Sequence, residues 1–253
     1  MAKTADDFDH ITIVLHGPRY SENIGAAARA AWNMGLSHLL LVAPQNLDRN
    51  RMLKMATHSA AHLIDQMEIS QDLTTALRPF HYVVGTTART GGRRKDLKTP
   101  REMAGELMPI CERNRVALLF GPEDRGLTNA ELRQCHALVN IPTAGFSSLN
   151  LAQAVMVLCY ELFLAECQPV DSFVPRLANR YELDGMYEHL KETLTKINFI
   201  TSDNPDQAMQ NLRSFFSRIG LRARDVKVIR GICRQIDWYT QKRLKGMRRE
   251  SSQ

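Results

Sequence analysis

The chain has 253 residues, of which 44% are hydrophobic and 24% charged, so it can bury the core of a large domain and is too apolar for wholesale disorder. The net charge of +6 comes from the C-terminal third: residues 1–169 hold 17 basic and 17 acidic residues, and residues 170–253 hold 16 and 10. The sequence has no apolar run of membrane-spanning length, no secretory signal, and five scattered cysteines without a C-x-x-C pair, so we expect a cytoplasmic protein without membrane contact, disulfide framework or zinc site.

Five short apolar runs, each followed by a helix-like segment, predict an α/β domain with a mostly parallel sheet. The runs are β-branched or leucine-rich and end near glycine or proline, which is typical of strands buried on both faces. They are ITIVLHG (11–17), HLLLVAP (38–44), HYVVGTTA (81–88), VALLFGPE (116–123) and HALVNIP (136–142). Helices are predicted at ENIGAAARAAWNMG, RMLKMATHSAAHLI, PREMAGELMPICERN and NAELRQC, and a long apolar helix is predicted to begin at Ser148.

The composition changes after this long helix. We predict a first domain over residues 1–167, a proline-containing linker over 168–181, and a basic helical extension over 182–253. Within the extension, three helices are expected at roughly 182–199, 205–219 and 223–245.

The last predicted helix carries a basic face. Lys227, Arg230 and Arg234 recur at helical spacing, and the chain from Arg213 to its end holds 12 basic and 3 acidic residues. Such a face is often only a solvated surface. A neutral domain joined to a basic extension also suits a polyanionic partner, with nucleic acid as the first candidate.

Polar residues concentrate where the predicted strands end, which is where open α/β sheets bind ligands. Neither a G-x-G-x-x-G nor a G-x-x-x-x-G-K-[ST] motif is present, which disfavours a nicotinamide enzyme and a phosphate-loop hydrolase. His58 and His62 lack the glutamate of H-E-x-x-H, and no serine lies in G-x-S-x-G. The remaining set suits orientation and charge stabilisation better than metal or covalent chemistry: Asn23, Arg29, Glu123, Ser147, Ser148 and Asn150.

Each of these residues also has a purely structural interpretation. Arg29 could pair with a surface acid, Glu123 could be a helix-start acid, and Asn23 could cap its helix. One of Ser147, Ser148 and Asn150 is expected to cap the long helix, which leaves the others free to face a ligand.

Three segments, in order and each at a strand end, resemble the motifs of the SPOUT-class (SpoU/TrmH-like) RNA 2′-O-ribose methyltransferases. ENIGAAARAAWNMG carries N-x-G-x-x-x-R, LLFGPEDRGL resembles the second motif, and IPTAGFSSLNLAQA resembles the third. The matching positions are Asn23, Gly25 and Arg29, then Gly121, Glu123 and Gly126, then Pro142, Ser148, Leu149 and Asn150. The C-terminal helices resemble the extension of a tRNA-modifying branch of this family.

Two segments depart from the family pattern. HGPRYSEN includes the bulky pair Arg19–Tyr20, and GTTARTGGRRKDL adds a basic cluster of Arg93, Arg94 and Lys95. Both departures bear on which RNA is accepted.

The resemblance implies a deep trefoil knot in the α/β domain, a homodimer, and S-adenosylmethionine as cofactor without a metal. It implies tRNA, and not DNA, as the partner. The reaction would be methylation of the ribose 2′-hydroxyl of cytidine or uridine at the first nucleotide of the anticodon loop, position 32. The alternatives are a ribosomal RNA ribose methyltransferase of the same family and a non-catalytic RNA-binding module.

The resemblance also assigns roles to residues. The implied catalytic residues are Arg29, Asn23, Glu123, Ser148 and Asn150. The implied cofactor contacts are Thr86, Thr87, Ala88, Gly121, Ile141, Ser147, Ser148 and Leu149. For RNA binding we expect Arg89, Lys227, Arg230 and Arg234.

Overall fold

The structure, a computed structural model, describes residues 8–89, 97–166, 175–200, 205–217 and 219–250, with side chains for all of these except 166 and 243–250. The chain divides into two compact units, Met1–Pro175 (unit 1) and Arg176–Gln253 (unit 2). The basic cluster Arg93, Arg94 and Lys95 lies outside the described residues.

Unit 1 is built on a seven-stranded sheet in which every neighbouring pair of strands is parallel. The strands are β1 (Ile11–His16), β2 (His38–Val42), β3 (Glu68–Ser70), β4 (Tyr82–Thr86), β5 (Leu97–Lys98), β6 (Val116–Phe120) and β7 (Ala137–Val139). Their spatial order is β3-β2-β1-β6-β4-β7-β5. The parallel α/β class is therefore confirmed, whereas the trefoil knot stays a prediction.

Seven helices are described in unit 1. They are α1 (Ser21–Asn33), α2 (Arg49–Ala56), α3 (Ala61–Gln66), α4 (Leu73–Leu77), α5 (Pro100–Cys111), α6 (Asn129–Leu132) and α7 (Leu151–Glu166). Side chains alternate across the sheet, so Ile13 and Leu15 join one core cluster and Val14 joins another. The first cluster includes residues of α1, α5 and α7, and the second includes residues of α4 and α6. The sheet is thus covered on both faces.

Three local predictions in unit 1 were wrong. Strands β3 and β5 were missed because they are three and two residues long and lie at the sheet edges, where apolar patterning is weak. The segment RMLKMATHSAAHLI is not one helix, because Thr57 adopts a left-handed φ of 61° and ends α2. His58 consequently lies in a 3₁₀ turn, and His62 packs edge-on against Trp32 with 4.2 Å between ring centroids.

The described residues of unit 2 form three helices, α8 (Arg180–Lys196), α9 (Pro205–Ser217) and α10 (Ala223–Glu250), close to the three expected. Helix α8 begins two residues inside the predicted linker because Asn179 and Glu182 form a capping box. A core that includes Met186 and Val226 packs the helices together. The functional division into methyltransferase domain, linker and RNA-binding extension stays a prediction.

One polar cluster fastens α10 to α8. The carboxylate of Asp237 is 2.9 Å from Nζ of Lys196 and 3.1 Å from Nε2 of His189, and the hydroxyl of Thr193 donates to it at 3.3 Å. The hydrogen bond from Lys196 is the largest cause that holds the pKa of Asp237 below its usual value.

Among the described residues, the helices are all too short or too polar to cross a bilayer.

Gly25 allows α1 to lie directly against α2. A Cβ at this position would be 2.0 Å from the main-chain oxygen of Met52, a distance that no real contact permits. The glycine of the first motif is therefore required for helix packing, whatever its further role.

We expect Gly25→Ala to lower the free energy of unfolding by about 1–3 kcal/mol, because the new methyl group meets backbone that cannot rotate away. The matched control is Gly105→Ala, in an exposed turn of α5 with no heavy atom near the added Cβ. That change should be neutral or stabilise by up to about 1 kcal/mol through helix propensity. Urea denaturation of both variants measures the difference, and equal effects would contradict the packing argument.

Candidate active site

The site lies at one edge of the sheet in unit 1. Strands β1, β6, β4 and β7 are neighbours and run in the same direction, so the loops that follow them meet at the same edge. These loops are residues 17–20, 87–89, 121–127 and 140–150. The sheet order thus brings together segments that are more than one hundred residues apart in sequence.

The first cavity has a volume of about 350 Å³, within the range of small-molecule sites. Every residue predicted to contact the cofactor lines it: Thr86, Thr87, Ala88, Gly121, Ile141, Ser147, Ser148 and Leu149. Arg89, which we expected to bind RNA, also lines this cavity together with Arg125. The structure therefore brings the predicted set together, and the role of these residues as cofactor contacts stays a prediction.

Hydrogen bonds between neighbouring strand ends fix one wall of the first cavity. The Thr86 hydroxyl donates to the Leu119 carbonyl at 3.2 Å, and the Thr87 N–H donates to the Val139 carbonyl at 2.9 Å. The Asn140 amide donates to the Thr87 carbonyl at 2.8 Å. These contacts hold the loop after β4 in a defined conformation.

Two glycines of the second motif also line the first cavity. The N–H of Gly126 donates to the Pro122 carbonyl at 2.9 Å, closing a turn in which Gly126 has a φ of +65°. A Cβ on Gly121 would lie 2.4 Å from the backbone of Gly126 and Leu127. A side chain is thus excluded at Gly121 because neighbouring backbone lies too close. At Gly126 a side chain is disfavoured because the residue has a positive φ.

A chain of hydrogen bonds centred on Glu123 connects all three motifs. One carboxylate oxygen accepts from the Arg19 N–H at 2.9 Å, and the other accepts from the Asn23 amide at 2.8 Å. The Asn150 amide donates to the Asn23 oxygen at 2.9 Å. We call Glu123, Asn23 and Asn150 the motif bridge. It holds three of the predicted catalytic residues in contact.

Asn150 has a second role as the cap of α7. Its side-chain oxygen accepts from the Ala152 N–H at 2.9 Å, so the helix begins at Leu151 and not at Ser148 as expected. The side chains of Ser147 and Ser148 are exposed and are left to line the first cavity. The helix below is anchored by Val155 and Cys159, which are fully buried.

The alternative structural interpretations of Asn23 and Glu123 were wrong. Asn23 is the third residue of α1 and does not cap it, because Tyr20 occupies the cap position and its carbonyl accepts the Asn23 N–H at 3.0 Å. Glu123 lies in a turn six residues before α6, which is capped instead by Thr128. Both side chains are committed to the motif bridge.

A second cavity, of about 530 Å³, shares Glu123, Ser148 and Leu149 with the first. Five further residues line the second cavity, and they belong to α1, the cap of α1, α2 and the motif bridge. They are Tyr20, Glu22, Asn23, Arg51 and Asn150. Four of the five predicted catalytic residues therefore lie around one space. The fifth, Arg29, does not.

Arg29 is exposed on α1 and lines neither cavity. It follows Asn23 by six residues, which places it about 120° around the helix axis from the motif bridge. No hydrogen-bond or ion-pair partner of its guanidinium occurs among the described residues. The structure thus separates Arg29 from the other predicted catalytic residues of the same chain.

Two charged groups beside the cavities were not singled out from the sequence. Asp124 binds the Arg19 guanidinium at 2.6 Å and braces the loop after β1. Arg51 enters the second cavity from α2, a helix that carries no recognised motif. Neither group is a motif position, although Asp124 lies in the segment LLFGPEDRGL and pairs with Arg19.

Burial lowers the pKa of one histidine at the end of β1. His16 ends β1, and its Nδ1 lies 3.5 Å from a Glu131 oxygen without a hydrogen bond. Burial is the main cause that lowers the pKa of His16, and Glu131 opposes it. The lowered pKa of His16 favours the uncharged imidazole at neutral pH.

A model described as the SpoU rRNA Methylase family matches residues 10–160, which is more than half of the chain and includes every residue around the two cavities. The chain belongs to the SpoU methylase family. Residues 181–249, in unit 2, match a second model, the C-terminal domain of the tRNA methyltransferase TrmJ.

Similar proteins extend this assignment over both units. The tRNA (cytidine/uridine/adenosine-2′-O-)-methyltransferase TrmJ of Pseudomonas aeruginosa is 35% identical over 253 residues, covering 94% of this chain and 96% of its own. The tRNA (cytidine/uridine-2′-O-)-methyltransferase TrmJ of Pectobacterium atrosepticum is 35% identical over 230 residues, covering 88% and 95%. A crystal structure of TrmJ from Z. mobilis ZM4 matches with a TM-score of 0.74 at 29% identity, covering 89% of this chain and 98% of that one.

The motif bridge predicts energetic coupling between distant segments. Asn23→Ala and Glu123→Ala should each destabilise unit 1, and a double-mutant cycle should give a coupling energy of about 1.5–3 kcal/mol, because they remove the same hydrogen bond to a charged group. The control cycle pairs Asn23→Ala with Glu102→Ala, which shares no hydrogen-bond partner with Asn23. Denaturation experiments on the single and double variants measure both couplings. Additivity in the first cycle would show that the bridge does not form.

Proposed function

We propose that this protein is an S-adenosylmethionine-dependent tRNA 2′-O-ribose methyltransferase that acts on cytidine or uridine at position 32. The observation that carries the proposal is the meeting of three family motifs around two adjoining cavities, joined by the motif bridge. The relatives named TrmJ support tRNA as the substrate, since they cover nearly the whole chain. We also propose a cytoplasmic location.

The first cavity suits the methyl donor. The close approach of Gly121 to Gly126 leaves backbone, and no side chain, along part of the wall, and Thr86, Thr87 and Ala88 also line this cavity. The cavity volume of about 350 Å³ falls in the small-molecule range. S-adenosylmethionine supplies an electrophilic methyl group on a sulfonium, so the reaction class does not require a metal.

The second cavity suits the ribose because it shares Glu123 and Ser148 with the first. Asn23, Glu123, Ser148 and Asn150 would orient the sugar, and alignment of this kind contributes about 7–11 kcal/mol to rate enhancement in well-aligned cases. Guanidinium groups are poor bases in proteins, so Arg29 would bind phosphate and stabilise the developing alkoxide instead of accepting a proton.

A homodimer would reconcile the exposed position of Arg29 with a catalytic role. In our proposal, Arg29 acts at the second cavity of a neighbouring subunit. Unit 1 also leaves large apolar side chains for such a contact, since Phe146 is 78% and Tyr160 47% exposed.

Ribosomal RNA is the second candidate substrate, because the matching family model carries that substrate in its name. The test is incubation of the protein with labelled S-adenosylmethionine and either tRNA or ribosomal RNA, followed by mass-spectrometric mapping of ribose methylation. We expect label at position 32 of tRNA. Label confined to ribosomal RNA would support the second candidate, and absence of both label and calorimetric donor binding would support a non-catalytic RNA-binding module.

Mixed dimers test the role of Arg29 across subunits. Arg29→Ala and Glu123→Gln should each abolish methyl transfer while Arg29→Ala retains donor binding. A mixture of the two variants should recover about one quarter of wild-type activity, because half of the random dimers contain one complete site. Recovery would fail if Arg29 and Glu123 served the same subunit's site, and near-normal activity of Arg29→Ala alone would remove Arg29 from catalysis.

The basic face of α10 is proposed to bind tRNA phosphates. Lys227, Arg230 and Arg234 are exposed, and no acidic partner of theirs occurs among the described residues. Replacing all three with glutamine should weaken tRNA binding and reduce the slope of log affinity against log salt by about 2 to 3. The control is Lys191→Gln, since Lys191 is already paired with Asp206 at 3.2 Å. An unchanged salt slope in the triple variant would exclude this face from binding.

A further inference from the structure

The second cavity contains three side chains that the proposed ribose chemistry does not use. They are Tyr20, from the loop that departs from the family pattern, Glu22, from α1, and Arg51, from α2. Proteins use exposed aromatic rings and arginine guanidinium groups to bind an unstacked nucleotide.

The Tyr20 ring is exposed while its backbone is fixed. Its side chain is 54% exposed, and its hydroxyl has no partner among the described residues. The residue before it donates its N–H to Glu123, and the Tyr20 carbonyl accepts from the Asn23 N–H at 3.0 Å. Hydrogen bonds to residues of the motif bridge therefore fix the backbone on both sides of Tyr20. The ring can then bind a ligand with little loss of backbone entropy.

Arg51 is oriented by carboxylates but keeps free donors. Its Nη1 lies 3.2 Å from Glu22, and its Nε lies 3.2 Å from Asp48. The Nη2 group has no partner among the described residues, and the side chain is 60% exposed. A guanidinium carries five donors in a planar fork, a geometry that matches the oxygens of a phosphate.

We propose that the second cavity is the subsite for the whole target nucleotide, with the Tyr20 ring stacked on its unpaired base and Arg51 bound to a flanking phosphate. This inference rests on the proposed function, which assigns the reacting ribose to the second cavity. It adds the base of the same nucleotide and a flanking phosphate to that cavity. The sugar lies against Glu123, Ser148 and Asn150, and the base extends outward to Tyr20.

Recognition by stacking has a consequence for specificity. Every base presents a π-face, so a tyrosine platform accepts different bases without reading their hydrogen-bonding edges. The subsite therefore selects a nucleotide that is unstacked, as in a loop, more than it selects a particular base.

The test uses the full-length protein, unmodified tRNA and saturating S-adenosylmethionine. Tyr20→Ala should lower kcat/KM for tRNA by about 10- to 100-fold, because it removes the stacking platform. Tyr20→Phe keeps the ring and should stay within about twofold of wild type. The donor affinity, measured by calorimetry, should be the same in all variants, because neither residue lines the first cavity.

Arg51 has a matched control on the same helix. Arg49 is 62% exposed, is likewise paired with a carboxylate, that of Asp65, and does not line the cavity. Arg51→Gln should lower kcat/KM for tRNA about tenfold and reduce the salt slope by about 1, whereas Arg49→Gln should change neither.

Normal kcat/KM in Tyr20→Ala, or equal effects of Arg51→Gln and Arg49→Gln, would overturn the assignment of the subsite. If the wild-type protein transfers no methyl group to tRNA, the proposed function fails separately. Binding of a fluorescent anticodon stem-loop by the same variants then decides the subsite: weaker binding by Tyr20→Ala but not Tyr20→Phe supports it, and equal binding rejects it.

Discussion

The carboxylate of Glu123 is the group on which the geometry of the site depends. It accepts one hydrogen bond from the loop after β1 and one from α1, and Asn23 extends the connection to the cap of α7. Hydrogen bonds to charged groups contribute about 1.5–3 kcal/mol each, so a single side chain supplies much of the order in three loops. The same side chain lines both cavities. The hydrogen bonds that order the loops therefore also determine the shape of the cavities.

The location of the site could be predicted from the sequence because two simple rules applied together. Buried parallel strands are recognisable as short apolar runs, and their carboxyl ends share an edge. Thr86, Gly121 and Ser147 belong to three different strand ends, and the structure brings all of them to one cavity. Asn23, Glu123 and Asn150 were grouped by motif alone, and they are in hydrogen-bond contact.

The features that could not be predicted depend on tertiary geometry. Arg29 belongs to the same motif as Asn23, but helix rotation directs the two side chains to different faces of α1. Arg51 belongs to no motif and reaches the second cavity only because α2 packs closely on Gly25. The break at Thr57 and the short edge strands β3 and β5 leave almost no periodic signal in the sequence.

Hydrogen–deuterium exchange with and without S-adenosylmethionine tests most directly whether three distant loops form one donor site. Residues 86–89, 121–127 and 147–149 line the first cavity together, so the donor should slow exchange in all three segments at the same donor concentration. Protection of one segment alone, protection elsewhere in unit 1, or no protection at saturating donor would contradict a shared site.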